Sequence, residues 1–237
     1  INGKEVLILS ETDPEKLPWK NLNIDVVIEA TGFFANYEGA QKHIIAGAKR
    51  VLITAPTKDQ TLTFTPGLSP SKSAFSSSES AIISNASCTT NAVNPVMAIM
   101  SETIGVKKAL LNTIHAYTAT QATVDEISKG NDYRRGRAGA LNIIPSTTGA
   151  AEATIKVLPD LKEKFDGIAL RVPVISGSIA DITFVSGRPT SIDEVNNIFK
   201  DAAETPKWKG ILKVIDEQIV SSDILKEPYG AIIDLTL

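Results

Sequence analysis

The chain has 237 residues, 43% of them hydrophobic and 22% charged, with a formal net charge of -3. That length buries a substantial core and fits one large or two modest domains. The acidic balance excludes the basic footprint of a general nucleic-acid binder, and no run approaches the roughly 20 apolar residues that span a bilayer.

The opening residues, Ile1-Asn2-Gly3-Lys4-Glu5-Val6-Leu7-Ile8-Leu9, read as a turn feeding a strand. Such a strand needs a partner to be stable. The first residue is not Met, no basic-then-apolar leader opens the chain, and we expect part of a longer cytoplasmic protein. Ile24-Asp25-Val26-Val27-Ile28-Glu29-Ala30 is a β-branched run ending at Thr31-Gly32, the pattern of a buried parallel strand. A helix from about Tyr37 to Ala46, closed by Gly47, leads to a second such strand at residues 50–54. Strand, helix and strand form a βαβ unit. After a Ser/Thr/Pro-rich excursion over residues 57–80, a third strand at 81–84 runs into Asn85-Ala86-Ser87-Cys88. Residues 1–85 therefore read as a doubly wound, Rossmann-type dinucleotide-binding sheet, partial at its start because no G-x-G-x-x-G turn occurs.

Beyond Cys88 the pattern changes. Residues 89–103 form an apolar helix with Pro95 near its start, and residues 106–117 alternate as a strand. Residues 119–141 are polar and rich in Gly and Arg, a long irregular loop of the kind that is functional or an interface. A helix at about 147–158, strands at 168–174 and 178–186, a helix at 192–203 and further strands complete an α+β domain over residues 86–237. Its sheet is expected to be mixed and largely antiparallel.

Cys88 is the only cysteine, so no internal disulfide forms, and with two histidines a zinc site is not expected. A strand delivers it to a helix start, where free N–H groups and the dipole favour an anion and lower a thiol pKa. Ser87, Thr89 and Thr90 add hydroxyls that can cap the helix or contact a phosphate. On spacing alone, a lone cysteine is more often a small buried hydrophobe, and an isolated strand histidine such as His115 is more often structural.

Ser84-Asn85-Ala86-Ser87-Cys88-Thr89-Thr90-Asn91 resembles the active-site signature of phosphorylating glyceraldehyde-3-phosphate dehydrogenases. His115-Ala116-Tyr117-Thr118, Pro145-Ser146-Thr147-Thr148-Gly149-Ala150-Ala151 and Gly167-Ile168-Ala169-Leu170-Arg171-Val172-Pro173 are similar to later family segments in the same order. The resemblance covers essentially the whole chain, without the family's N-terminal Gly-rich turn and its C-terminal strands and last helix. It implies Cys88 as nucleophile and His115 as acid–base partner. Thr118 and Arg171 match positions for the substrate phosphate. Ser87, Thr89, Thr148 and Gly149 match those for the attacking phosphate, with Arg135 nearby. Thr31, Gly32 and Thr54 fall at the cofactor edge, for NAD with NADP not excluded.

The resemblance further implies a homotetramer acting on a small phosphorylated aldehyde and inorganic phosphate, with no nucleic acid, membrane or metal. Its expected reaction turns glyceraldehyde 3-phosphate into 1,3-bisphosphoglycerate through a thioester, a step of glycolysis and gluconeogenesis. Erythrose-4-phosphate dehydrogenase is the nearest enzyme alternative, and a silent truncated homologue is the alternative from another class. For Arg171, which stands in an apolar strand, a structural salt bridge to Asp181 is the bland alternative to an anionic ligand.

Overall fold

A computed structural model describes residues 1–68, 81–128 and 130–237. The described residues fall into two compact units, one of residues 1–63 and 81–85, the other of residues 64–68 and those from 86 onward.

The first unit carries β1 (Val26–Glu29), α1 (Tyr37–Ile45), β2 (Arg50–Ile53), β3 (Leu62–Thr63) and β4 (Ile82–Ser84). All pairings are parallel, in the order β1-β2-β4-β3. Val27, Val51, Ile53 and Ile82 from the strands close over Ala40 of α1 and Ala48 beyond it. The helix starts where the Asn36 side chain accepts from the Gly39 N–H at 2.7 Å. It stops at Gly47, whose φ of +106° and contact with Lys20 exclude a side chain.

The expected opening strand is not there. Asn2 and Gly3 turn, but residues 4–10 join no ladder, and Val6, Leu7 and Ile8 are exposed. An extended apolar run without a neighbouring strand leaves its backbone groups to water, so sequence preference alone does not fix it. The excursion of residues 57–80 contributes β3, and its portion from 69 to 80 lies outside the described residues.

The second unit begins with α2 (Cys88–Thr103), followed by β5 (Val106–Ala116), β6 (Ile144–Thr147), α3 (Ala150–Val157), β7 (Phe165–Val172) and β8 (Ser178–Ser186). Then come α4 (Ile192–Glu204), β9 (Leu212–Ile215) and β10 (Ala231–Asp234). The main sheet has the order β6-β7-β5-β8, with β5 and β7 parallel and the outer pairings antiparallel. β9 and β10 pair in parallel as a separate ribbon.

A helix is expected at about residues 147–158. Their start instead ends the edge strand β6, and the helix opens at Ala150. The described residues of 117–143 are irregular apart from one 3-10 turn at Tyr133–Gly136.

Period-two alternation along β5 decides which side chains meet. Ala109, Leu111 and Thr113 point inward and are buried, whereas Leu110 is exposed. Val93 and Met97 of α2, with Ala150 and Ala151 of α3, pack against that inner face together with Phe165 and Leu161. A second cluster joins the other side of α2, through Ile99 and Met100, to Phe199 of α4 and Trp208. Met97 is 1% exposed at the centre of this packing. Met97→Ala should cost about 2–5 kcal/mol from lost burial and an unfilled cavity. Urea unfolding followed through Trp208 emission in a Trp19→Phe background checks this, and an unchanged midpoint would show that the α2 seam is not the core.

Candidate active site

The second unit begins its first helix at Cys88. Ser87 caps that helix, its hydroxyl accepting from the Thr90 N–H at 3.0 Å and meeting the Thr90 hydroxyl at 2.8 Å. The strongest hydrogen-bonding capacity of Ser87 therefore serves the helix end. Cys88 is exposed, so its sulfur stands at the helix start open to solvent.

His115 lies near the end of β5, in step with Ala109, Leu111 and Thr113, which puts it on the face that α2 covers. Its Nε2 is 3.3 Å from Cys88 Sγ. That contact, with the Thr89 N–H and hydroxyl, outweighs partial burial and holds the thiol down at about 7. The same contact raises His115, against the opposing effects of burial and Arg171. The two groups share one proton and titrate as a pair.

Register brings the next group in. In the parallel ladder β5–β7, His115 stands directly beside Arg171. Nη1 of Arg171 reaches His115 Nδ1 at 2.6 Å and the Ala116 carbonyl at 3.1 Å. Its Nε is buried with no partner. The salt bridge to Asp181 is not formed, since Asp181 is exposed and stands opposite Asn112 on β8, rungs away from His115. Burial, and the nearby charge of Arg135, lower Arg171, while the Cys88 thiolate raises it. A half-buried guanidinium with a free N–H beside a second cation suits an oxyanion.

The other residues named from the sequence are placed as follows. Arg135 lies in the 3-10 turn, half exposed and 3.5 Å from Asp132. Thr118, exposed beyond the end of β5, donates from its N–H and hydroxyl to Gln121 at 3.0 and 3.2 Å. Thr148 accepts from the Ala150 N–H at 3.1 Å, and Gly149 is the N-cap of α3 with nothing within 4 Å of an added Cβ. The first turn of α3 thus leaves an open, donor-rich end. No hydrogen bond joins Thr118, Thr148 or Gly149 to Cys88 or Arg171 among the described residues.

In the first unit, Thr31, Gly32 and Thr54 follow the ends of β1 and β2 and are exposed. Thr54 donates its hydroxyl to the Glu29 carbonyl at 3.2 Å. Gly32 has a φ of +78° and open space around it, so a ligand can approach its backbone closely. Sequence reading missed what holds this turn. Glu29, 3% exposed, accepts from the Thr31 N–H at 2.8 Å and from the Thr31 hydroxyl through one oxygen. Its other oxygen meets His43 Nε2 at 2.9 Å, and Trp19 Nε1 donates to His43 Nδ1 at 3.0 Å. An indole N–H only donates, so His43 carries its proton on Nε2. Burial pushes Glu29 up, but the hydrogen bonds from Thr31 and His43 outweigh it and leave it lowered. A Glu at the end of an apolar strand was the available signal, because a buried carboxylate must be paired.

Among the described residues no helix is long and apolar enough to cross a membrane, and no cluster of three His, Cys, Asp or Glu is placed to hold a metal.

The first unit has the parallel α/β topology of nucleotide-binding sheets, and the second presents a cysteine–histidine pair at a helix start. Residues 87–237 match the C-terminal domain of glyceraldehyde 3-phosphate dehydrogenase, and residues 1–37 match its NAD binding domain. The chain belongs to the glyceraldehyde-3-phosphate dehydrogenase family, and NAD is its cofactor. It is 47% identical to the glyceraldehyde-3-phosphate dehydrogenase of Streptomyces coelicolor over 237 residues, 100% of this chain and 69% of the relative. It is 45% identical to glyceraldehyde-3-phosphate dehydrogenase 2 of Bacillus subtilis over 234 residues, 99% of this chain and 67% of the relative. The exposed edge at Thr31, Gly32 and Thr54 fits one side of such a cofactor site.

Proposed function

We propose that the chain oxidises and phosphorylates glyceraldehyde 3-phosphate, with Cys88 as nucleophile and His115 as acid–base partner. The observation that carries this reading is the 3.3 Å contact between Cys88 Sγ and His115 Nε2 at a helix start, with the carboxylate-free Arg171 alongside. Cys88, as thiolate, attacks the aldehyde carbon to give a hemithioacetal. His115 donates to the developing oxyanion, then takes the hydroxyl proton as a hydride leaves the carbon. Bound NAD supplies the acceptor for that hydride. The resulting thioester on Cys88 is cleaved by inorganic phosphate, giving 1,3-bisphosphoglycerate and restoring the thiolate.

In this reading Arg171 and Thr118 hold the substrate phosphate. Thr89, Thr148, Gly149 and Arg135 receive the attacking phosphate, with Ser87 ordering the helix end. Thr31, Gly32 and Thr54 line one side of the NAD site. Residues 1–85 serve as the dinucleotide-binding domain and 86–237 as the catalytic domain, working in the cytoplasm as a step of glycolysis and gluconeogenesis. A homotetramer agrees with the outer sheet face, where Leu110, Ile168 and Ile179 are 64%, 59% and 58% exposed.

The test compares two aldehydes, following NADH absorbance. Arg171→Ala should raise KM for glyceraldehyde 3-phosphate roughly tenfold to hundredfold, from a lost charge-assisted interaction of about 1.5–3 kcal/mol. Unphosphorylated glyceraldehyde should be affected far less. Equal losses for both would make Arg171 structural and remove the substrate-phosphate assignment.

A further inference from the structure

One residue of the first unit reaches both connections at the carboxyl ends of its strands. Glu29 is the last residue of β1, and Thr31, Gly32 and Thr54 follow β1 and β2. Its backbone carbonyl accepts from the Thr54 N–H at 3.0 Å and from the Thr54 hydroxyl at 3.2 Å. Its buried carboxylate accepts from the Thr31 N–H at 2.8 Å and from the Thr31 hydroxyl. With that proton given to Glu29, the Thr31 oxygen can still accept, and it takes the Phe33 N–H at 3.2 Å. Gly32, between them, is exposed at a φ of +78°, and its N–H makes no hydrogen bond among the described residues.

The carboxylate is itself aimed. Trp19 Nε1 donates to His43 Nδ1, which leaves the ring proton on Nε2, 2.9 Å from the second oxygen of Glu29. The far end of the connection is tied elsewhere: Asn36 caps α1, and Asp59 accepts from the Tyr37 N–H at 2.6 Å. Residues 31–33 are the part that Glu29 holds. They are exposed, Phe33 at 86%, so fixing them buries almost no apolar surface. Ordering exposed backbone costs conformational entropy without a packing gain. What it achieves is a rigid turn with a free N–H, facing whatever arrives from solvent.

We propose that Glu29, aimed by His43 and Trp19, is a positioning residue for NAD that fixes the Thr31–Phe33 turn so that Gly32 offers its N–H to the cofactor. The proposal rests on the reading that Thr31, Gly32 and Thr54 line the NAD site. Ligands of open parallel sheets sit beyond the carboxyl ends of the strands, and the match to the NAD binding domain, residues 1–37, includes this turn. A cofactor that meets a preformed turn does not have to order it, and binds more tightly for that reason.

Amide exchange followed by nitrogen-15 NMR, with calorimetric titration by NAD, tests this. In the parent chain without NAD, the Thr31, Phe33 and Thr54 amides should exchange slowly, and millimolar NAD should shift the Gly32 amide. In Glu29→Ala, Thr31 and Phe33 should exchange freely, while Thr54, bound to a backbone carbonyl, stays slow. The Kd for NAD, corrected for the folded fraction, should rise about tenfold. Glu29→Gln should recover most of that affinity, because an amide oxygen can accept from both Thr31 donors. Should Glu29→Ala fail to fold, Thr31→Val carries the test, since it keeps the buried Glu29–His43 contact and frees the Phe33 N–H. Thr31→Ser should then restore both the protection and the affinity. If the three amides speed up together and Kd stays unchanged, Glu29 is structural and the proposal is overturned. A Gly32 amide that responds to NAD, with a Kd insensitive to these substitutions, overturns only the role of Glu29. A Gly32 amide unmoved by NAD overturns the reading of this edge as the cofactor site, and the proposal with it.

Discussion

His115→Asn is expected to slow alkylation of Cys88 by iodoacetamide at pH 6 by roughly tenfold, and Cys88→Ser to abolish it. The thiol is held at about 7, principally by its hydrogen bond to His115. Two pKa units below an ordinary thiol mean about a hundredfold more thiolate at pH 6. A less basic thiolate is also a weaker nucleophile, with a Brønsted slope of about 0.4–0.5, which returns close to one factor of ten. The net is about tenfold, and labelling is stoichiometric because Cys88 is the single cysteine. The helix end alone cannot supply this, since its contribution of about 0.3–1 kcal/mol is under one pKa unit. In the parent chain the rate should rise with pH through the thiolate transition near 7. In His115→Asn that rise should shift upward by one to two units. A pH profile unchanged by His115→Asn would remove the thiolate–imidazolium pairing while leaving the family membership intact.

Glu29→Ala is expected to destabilise the first unit by about 2–4 kcal/mol. It strands the His43 Nε2–H in a buried site, at about 1–3 kcal/mol for one orphaned donor, and removes the bonds that hold Thr31. Glu29→Gln should cost less, since an amide oxygen serves one of these donors but not both. The chain has two tryptophans, one in each unit, so Trp208→Phe leaves Trp19 as a reporter seated on His43. With an m-value of about 1–3 kcal/mol per molar urea, the midpoint seen by Trp19 should fall by roughly 1–2 M. The pH dependence has a fixed sign. Glu29 is lowered on folding, so its contribution is complete above the unfolded carboxylate pKa and is lost as pH falls through the lower folded value. The Glu29→Gln chain should therefore lose less stability than the parent on acidification below about pH 4.5. A Trp19 midpoint unmoved by Glu29→Ala would show that the buried carboxylate holds nothing together.

How much of this was legible before the structure depends on what each element answers to. The parallel strands at Val26–Glu29 and Arg50–Ile53 were readable from their β-branched apolar runs, but the two-sided burial such runs imply is not found in the first, where Val26 and Ile28 are 50% and 65% exposed. The helix at Cys88–Thr103 was readable from its apolar positions, but which of the hydroxyls of Ser87, Thr89 and Thr90 caps it was not, and the structure assigns Ser87. β6 was not, because Ile144-Pro145-Ser146-Thr147 carries a proline that disfavours a strand everywhere except at an edge, where β6 lies. The opening run failed in the opposite sense, having strand composition without a strand to pair with. Cys88 and His115 were visible as chemistry. The third member of their group was visible only as an anomalous charge, since its place beside His115 is a matter of pairing between strands. The Trp19–His43–Glu29 chain was hidden because none of the three is unusual alone, and only the folded sheet and α1 bring them together.

That pairing has a consequence for how this protein tolerates insertions. The ladder between β5 and β8 slips once, between Val106 and Lys108, and then runs in step to His115. An extra residue is thus absorbed at the end of the sheet farthest from Cys88, before the count begins to matter. From there on, adding or deleting a single position in β5 or β7 would turn His115 or Arg171 to the outer face, away from α2. Two added positions would preserve the face but break the rung. The irregular stretch beyond Ala116 and the turn between β7 and β8 carry no such arithmetic. Chain length can drift in the connections, while the separation of His115 and Arg171 from their shared rung is counted residue by residue.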